Sequence, residues 1–316
     1  CTNCGPRYTV IKGLPYDRNL TALADFPLCE SCNAEYRDPQ NRRYHAQATA
    51  CPKCGPSLGL DLAKVAEYIH AGKVVALKGV GGYVLLADAT NAATVARLRE
   101  RKGRAEKPFA VMALNTNSIQ HHFAHVSPHE AGVLESPAAP IVILARKRST
   151  HIAAEVAPKL NTLGMMLPNS PLYYILFYHL LGTPAGAEWL QQHTALALIV
   201  TSANFSGGAI ISDNDEARQQ LTKIADYVVS ADRDIIMKSD DSVISCVGQH
   251  NVILRRARGI APKPFYFPYQ LPQVLALGAH LKSTLTFTRD NKAFTSQYLG
   301  DMGSEYTIRY FKQVLA

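Results

Sequence analysis

Residues 98–108, LRERKGRAEKP, gather Arg99, Arg101, Lys102, Arg104 and Lys107 against two glutamates. Cations at that density could hold and polarise phosphate, arginine through bidentate hydrogen bonds and lysine as a point charge. The ordinary role of such a run is a solvated helix end, where positive side chains suit the helix dipole. Two features favour an anion site instead. Lys102 and Arg104 flank Gly103, which breaks any continuous helical face. A second polar cluster, Thr201-Ser202-Ala203-Asn204, follows another apolar strand pattern about a hundred residues on. The two clusters are expected to form opposite walls of one anion site. No nucleophile with an adjacent base is legible: HExxH and GxSxG are absent, and Ser202 has no neighbouring histidine. Chemistry here would rest on positioning and charge neutralisation rather than on covalent catalysis. Lys78 opens Lys78-Gly79-Val80-Gly81-Gly82 and is a further candidate contact. As a phosphate loop this stretch is weak, because it lacks the GxxxxGKS/T spacing and no helix follows it.

Six of the seven cysteines lie within the first 54 residues, all in CxxC pairs. Cys29-x-x-Cys32 is followed after eighteen residues by Cys51-x-x-Cys54, a four-cysteine zinc pattern. Four thiolates close a tetrahedral shell, so this zinc is expected to be structural. Paired CxxC knuckles fit a reducing cytoplasm better than disulfides do. Cys1-x-x-Cys4 also reads as a metal pair. The tripeptide Cys-Gly-Pro recurs at residues 4 and 54, as if one repeat ended and a second followed whole. Two arrangements fit: half a site whose partner lies upstream, or pairs interleaved between repeats. Basic and aromatic residues at 36–45 fit either a nucleic-acid surface or a contact to the next domain. Cys246 stands alone and reads as a buried, inert thiol.

The elements that must position these residues follow from hydrophobic patterning. With 47% hydrophobic and 18% charged residues, the chain can bury ordinary cores. A net charge of +8 favours anionic partners: nucleotide, phosphorylated metabolite or RNA. No apolar run is long enough for a membrane span. The first residue is not Met, which predicts that the chain begins inside a longer protein. Helical patterns at 62–70, 92–101, 171–181 and 213–225 alternate with strand patterns at 74–77, 83–87, 109–114, 140–145 and 195–200, and a hairpin follows over 242–256. That hairpin ends in Arg255, Arg256 and Arg258. The pattern is α/β, a twisted mixed sheet with flanking helices. Three units are expected: a cysteine segment over 1–60, a nucleotide-binding domain over 61–265, and, past a proline-marked linker, three strands within 273–316.

One ordered series of motifs carries a resemblance along essentially the whole chain. It runs from Cys1-Thr2-Asn3-Cys4-Gly5-Pro6 and Leu14-Pro15-Tyr16-Asp17-Arg18 to Arg42-Arg43-Tyr44-His45 and Cys51-Pro52. It continues through Lys78-Gly79-Val80-Gly81-Gly82-Tyr83, Arg101-Lys102-x-Arg104-x-x-Lys107-Pro108, 201–207, Asp240-Asp241-Ser242 and Arg255-Arg256-Ala257-Arg258-Gly259. This series resembles the HypF family, the carbamoyltransferases of nickel–iron hydrogenase maturation. The resemblance implies zinc knuckles, a YrdC-like twisted mixed sheet, and a truncated β-meander that begins a sugar-kinase/Hsp70-type domain. It implies that carbamate from carbamoyl phosphate is joined to ATP, with Mg2+, as carbamoyl-adenylate, and that the carbamoyl group then passes to the C-terminal cysteine of HypE. The family's KxR falls on Lys102 and Arg104, expected to be catalytic, and its SxN on Ser202 and Asn204. Thr201, Ser202, Asn204, Lys78, Lys107, Arg256 and Arg258 are candidate nucleotide contacts, with no means of choosing among the three arginines of the hairpin. A piece of this extent would lack the acylphosphatase step and the final transfer. Two other classes stay open: a threonylcarbamoyl-adenylate synthase of tRNA modification, which the cysteine knuckles argue against, and a zinc-containing RNA-binding module.

Overall fold

The computed structural model describes residues 6–204 and 208–315. Nine strands form one mixed sheet: β1 Val75–Lys78, β2 Tyr83–Asp88, β3 Ala110–Ala113, β4 Ile141–Ala145, β5 Thr162–Met166, β6 Ala197–Ser202, β7 Tyr227–Val229, β8 Val243–Val247 and β9 His250–Arg255. Their order is β7-β1-β2-β6-β3-β5-β4-β8-β9. The pairs β1/β7, β3/β5 and β4/β8 are parallel, and the remaining neighbours are antiparallel.

The central strands read as unbroken apolar runs because both faces are covered. Alternate residues divide between two cores. Ala76, Leu85, Val111 and Ile199 face the core that holds Val95 and Leu98 of helix Ala92–Arg101. Leu77, Val84, Leu86, Met112, Leu198 and Val200 face the other core, with Val65 and Ile69 of helix Leu62–His70 and Leu176 and Phe177 of helix Pro171–Leu180. Each of the Val, Leu, Ile, Met and Phe side chains among them contributes about 1.5–3 kcal/mol on burial. Side chains start two of these helices: Asp61 accepts from the Ala63 amide and Asn91 from the Thr94 amide. Ser170 occupies the N-cap of the third, but its side chain makes no capping bond. Cys246 is half-buried rather than sealed in the core.

A second, four-stranded antiparallel sheet follows: β10 Phe265–Tyr266, β11 Leu275–Leu277, β12 Leu285–Arg289 and β13 Lys292–Thr295, ordered β10-β13-β12-β11. Three of these strands lie where the patterning predicted them. β10 falls in the proline-marked stretch, and helix Glu305–Leu315 was not anticipated. This region does not stand free of the large sheet. The Tyr298 amide donates to the Arg256 carbonyl at 2.7 Å, and Leu285, Leu299 and Tyr310 pack with Ala209 and Met237.

Before the large sheet, residues 6–60 bury few apolar side chains, among them Val10, Ala22 and Leu23. Arg18 ties the segment together, donating to the carbonyls of Phe26, Gln47 and Thr49 at 2.6–2.8 Å. Ser57 and Gly59 join it to Asp232 and Ser230 of the large domain.

Candidate functional site

Strand pairing explains why distant motifs meet. β6 is antiparallel to both β2 and β3, so the end of β6 lies beside the starts of both. The Gly79–Gly82 turn enters β2, the Lys102–Pro108 loop enters β3, and Thr201 and Ser202 end β6. Asp240 and Asp241 enter β8, and Arg255 leaves β9, which is paired to it; the registers put this entry beside the end of β5, and the Ser239 amide, donating to the Gly81 carbonyl at 2.9 Å, holds it against the glycine turn. Gly103 adopts φ +62°, which ends the helix and turns the cationic loop toward β6.

These segments line a cavity of about 280 Å³. Its walls include Lys102, Arg104, Lys107, Thr201, Ser202, Asn204, Asp240, Arg255 and Arg258. The expected convergence of the two polar clusters is direct. Lys102 Nζ donates to the Ser202 carbonyl at 2.8 Å and to Asn204 Oδ1 at 3.0 Å, and also to the Asn204 carbonyl. Arg104 Nη1 donates to Thr201 Oγ1 at 3.1 Å, and its Nε to the Lys107 carbonyl at 2.9 Å. Burial, then the charge of Arg104, draws the Lys102 ammonium down to about 7, and Lys107 adds to the effect. Burial and Arg99 bring Arg104 down to about 10. Lys107 is lowered by burial first, then by Arg104 and Arg255. So several cations share a poorly solvated space, a poised field for a polyanion.

The three hairpin arginines separate clearly. Arg258 lines the cavity, but it is held by Asp241 at 2.7 Å and by the Ala138 and Ala139 carbonyls at 3.0 and 2.8 Å. Arg256 points away, toward the Thr295 carbonyl and the ring of Phe265. Arg255 lines the cavity, with Nη1 3.9 Å from Asp240 and its head over the Tyr298 ring. Lys78 does not reach the cavity either. It shares the face of Ala76, opposite the face carrying Val84 and Val200, and donates to Asn214 Oδ1 at 2.8 Å and the Ala231 carbonyl at 3.2 Å.

Sequence reasoning missed Asp240, Lys282 and Tyr298 as cavity residues. Asp240 is buried, which raises its carboxyl; Arg255, Lys107 and Lys102 pull the other way. Lys282 and Tyr298 come from beyond residue 270 and carry no signal that would assign them to this wall.

A separate centre lies before the large sheet. The sulfurs of Cys29, Cys32, Cys51 and Cys54 lie within 4.8 Å of one another, and the Cys29–Cys51 and Cys51–Cys54 pairs are 3.7 Å apart. Four sulfurs ~2.3 Å from one tetrahedral ion would be about 3.8 Å apart. The donor set and spacing fit structural zinc. His45 is not part of this group; its ring stacks on Tyr36. Cys1 and Cys4 lie outside the described residues, as do 205–207.

The comparisons agree with this layout. The HypF finger model matches residues 28–60, and the HypF Kae1-like domain model matches 270–316. Between them the Sua5–YciO–YrdC model, which carries the description telomere recombination, matches residues 67–257. The chain belongs to the HypF family. It is 45% identical over 333 residues to carbamoyltransferase HypF2 of Cupriavidus necator, covering 100% of the chain and 41% of that protein. It is 38% identical over 326 residues to carbamoyltransferase HypF of Rhodobacter capsulatus, covering 99% and 41%. The chain thus spans about two fifths of the length of these relatives. A crystal structure of full-length HypF in the phosphate- and nucleotide-bound form superposes with a TM-score of 0.91 at 39% identity, over 100% of the chain and 41% of that structure. P. abyssi Sua5 complexed with L-threonine shares the fold, with a TM-score of 0.51 at 20% identity over 62% of the chain and 54% of its own. No helix among the described residues is long and apolar enough to cross a membrane.

The glycine loop makes a sharp test of the cavity wall. A β-carbon on Gly81 would lie 2.2 Å from the Ser239 carbonyl oxygen and 3.1 Å from its carbon. Backbone cannot yield as a side-chain tip does, so Gly81→Ala must push the 239–241 strand entry outward, at about 1–3 kcal/mol of overpacking. The expected result is a lower Tm and at least tenfold weaker triphosphate binding by calorimetry. Unchanged binding would separate this loop from the site.

Proposed function

We propose that the chain carries the nucleotide-activating step of a carbamoyltransferase of hydrogenase maturation. The observation that carries this reading is the junction of Lys102, Arg104 and Lys107 with residues 201–204 at one cavity. In the proposed reaction a carbamate oxygen attacks the α-phosphorus of ATP. The new P–O bond gives carbamoyl-adenylate, and the α–β bridging bond breaks, its electron pair leaving with pyrophosphate. Charge grows on the leaving pyrophosphate, and fixed cations stabilise it without reorganising. Lys107, whose ammonium has no protein acceptor among the described residues, and the free N–H groups of Arg104 and Arg255 suit that task. Lys102 holds the 201–204 turn in place and adds its charge, so it is the joint between the walls. Ser202 and Asn204 are suited to orient the nucleotide or the carbamoyl group. Mg2+ would enter with the ATP phosphates.

The carbamate would originate from carbamoyl phosphate, and the product would go to the C-terminal cysteine of HypE, as the family resemblance implies. The names of the HypF relatives and the nucleotide-bound HypF structure support this reading. The sheets support a division near the expected units 1–60, 61–265 and 273–316, and the reduced cysteine set suits the cytoplasm.

The test is exchange of labelled pyrophosphate into ATP, with carbamate supplied directly as ammonium carbamate. Exchange that requires carbamate is the expected result. Exchange only with threonine and bicarbonate would reassign the site to threonylcarbamoyl-adenylate synthesis. No exchange with either acceptor would overturn the adenylation reading.

A further inference from the structure

A second cluster of metal-ligating side chains lies outside both centres. Among the described residues, His121, His122 and His193 bring ring nitrogens within 4.8 Å of one another, and none of the three lines the cavity. We propose that these histidines form a second metal site, for an exchangeable divalent first-row cation that prefers imidazole, such as Ni2+, Cu2+ or Zn2+.

The local backbone is built to hold the three rings together. His121 and His122 are consecutive on a π-helical turn, Ile119–Phe123, and their centroids are 4.7 Å apart. Single π turns are uncommon and occur often at functional sites. His193 sits on a separate loop, fixed to the residues just before that turn by hydrogen bonds between side chains and backbone. Asn115 Nδ2 donates to the Leu190 and Gln192 carbonyls at 2.9 and 2.8 Å, and the Thr194 amide donates to Ser118 Oγ at 3.0 Å. Asn115 Oδ1 in turn accepts from the Ser118 amide and hydroxyl at 2.7 and 2.9 Å. His193 therefore has its backbone anchored on both sides.

The ring geometry is close to coordination. His122 Nε2 and His193 Nδ1 are 3.1 Å apart. Nitrogens ~2.1 Å from a tetrahedral ion would be about 3.4 Å apart. The His121 and His193 rings are stacked at 4.0 Å, and both residues are exposed, so a turn about their side-chain bonds brings both lone pairs to one point. His122 is the half-buried member. Lys147 is turned to the carbonyls of Gln120 and His121 rather than to the ring nitrogens. Three neutral imidazoles leave coordination positions for water, unlike the closed thiolate shell. They favour borderline transition metals over Mg2+ or Ca2+.

The experiment titrates Ni2+ into the chain, free of any polyhistidine tag and with its cysteine site loaded with zinc. One Ni2+ per chain is expected. His122→Ala and His193→Ala should each weaken it at least tenfold, with the zinc content and circular dichroism unchanged. His125→Ala, on a neighbouring residue outside the cluster, should leave Ni2+ binding as it is. Retention of full affinity in His193→Ala, or no stoichiometric Ni2+ in the wild type, would overturn the proposal. His193→Gln, which keeps the side chain's length and polarity, guards against loss of the loop: it too should bind at least tenfold more weakly, and full affinity in it would likewise count against the site.

Discussion

Lys102→Ala will lower carbamate-dependent pyrophosphate exchange at least 100-fold, and Lys102→Met, which restores the aliphatic stem, will not rescue it. The lysine is 2% exposed and donates to the Ser202 carbonyl, the Asn204 carbonyl and Asn204 Oδ1. Losing it removes a charge from the cavity and leaves these acceptors short of a donor. Removal of one preorganised donor costs about 10²–10³ in rate where charge develops. A pH profile distinguishes the charge from the tether. With its pKa at about 7 in the empty site, Lys102 is an ammonium at about pH 6 and largely neutral by about pH 8.5. A bound triphosphate favours the ammonium, so binding above pH 7 takes up a proton. ATP affinity should therefore fall as pH rises, approaching tenfold per unit, and that slope should vanish in Lys102→Met. Calorimetry in buffers of different ionisation enthalpy measures the proton directly. Exchange within tenfold of wild type in Lys102→Ala would remove this residue from the mechanism.

Stripping the zinc will unfold residues 18–56 while leaving the large sheet intact. Structural zinc supplies about 10–16 kcal/mol of apparent binding free energy in small knuckles. Between residues 18 and 56 there is little else, since buried apolar side chains are few and Arg18 supplies the ties to the carbonyls of Phe26, Gln47 and Thr49; the bonds to the large domain lie outside that stretch, at Thr9, Ser57 and Gly59. Cys51→Ser should release the metal and open residues 18–56 to protease within minutes. Pyrophosphate exchange should stay within about threefold, because the cavity lining begins at Gly79. Equal protease resistance with and without metal would mean that packing alone holds the segment.

The legible part of the site was the part that backbone pairing creates. Lys102 and Thr201 each adjoin an apolar run, and antiparallel pairing of β3 with β6 brings the relevant ends together. The zinc ligands were legible because their spacing is local. Side-chain direction was harder. Lys78 ends a strand beside a glycine turn, yet strand parity puts it on the face opposite Val84 and Val200. Arg255 and Arg256 differ by one position, and one position decides whether an arginine faces the cavity or the second sheet. Tyr298 and Lys282 were invisible because only tertiary packing brings them to the wall. Helix Glu305–Leu315 was overlooked because the strand pattern before it suggested that a meander continued.

Two separately hydrogen-bonded sheets thus contribute to a single chamber: seven strands of the large sheet, all but β1 and β7, form its floor and sides, and the short sheet's flank, through Lys282 and Tyr298, reaches the rim. The Tyr298 amide on the Arg256 carbonyl and the Arg256 side chain on the Thr295 carbonyl pin the two together, so a substitution that loosens this seam would be felt at the cavity without touching its cations.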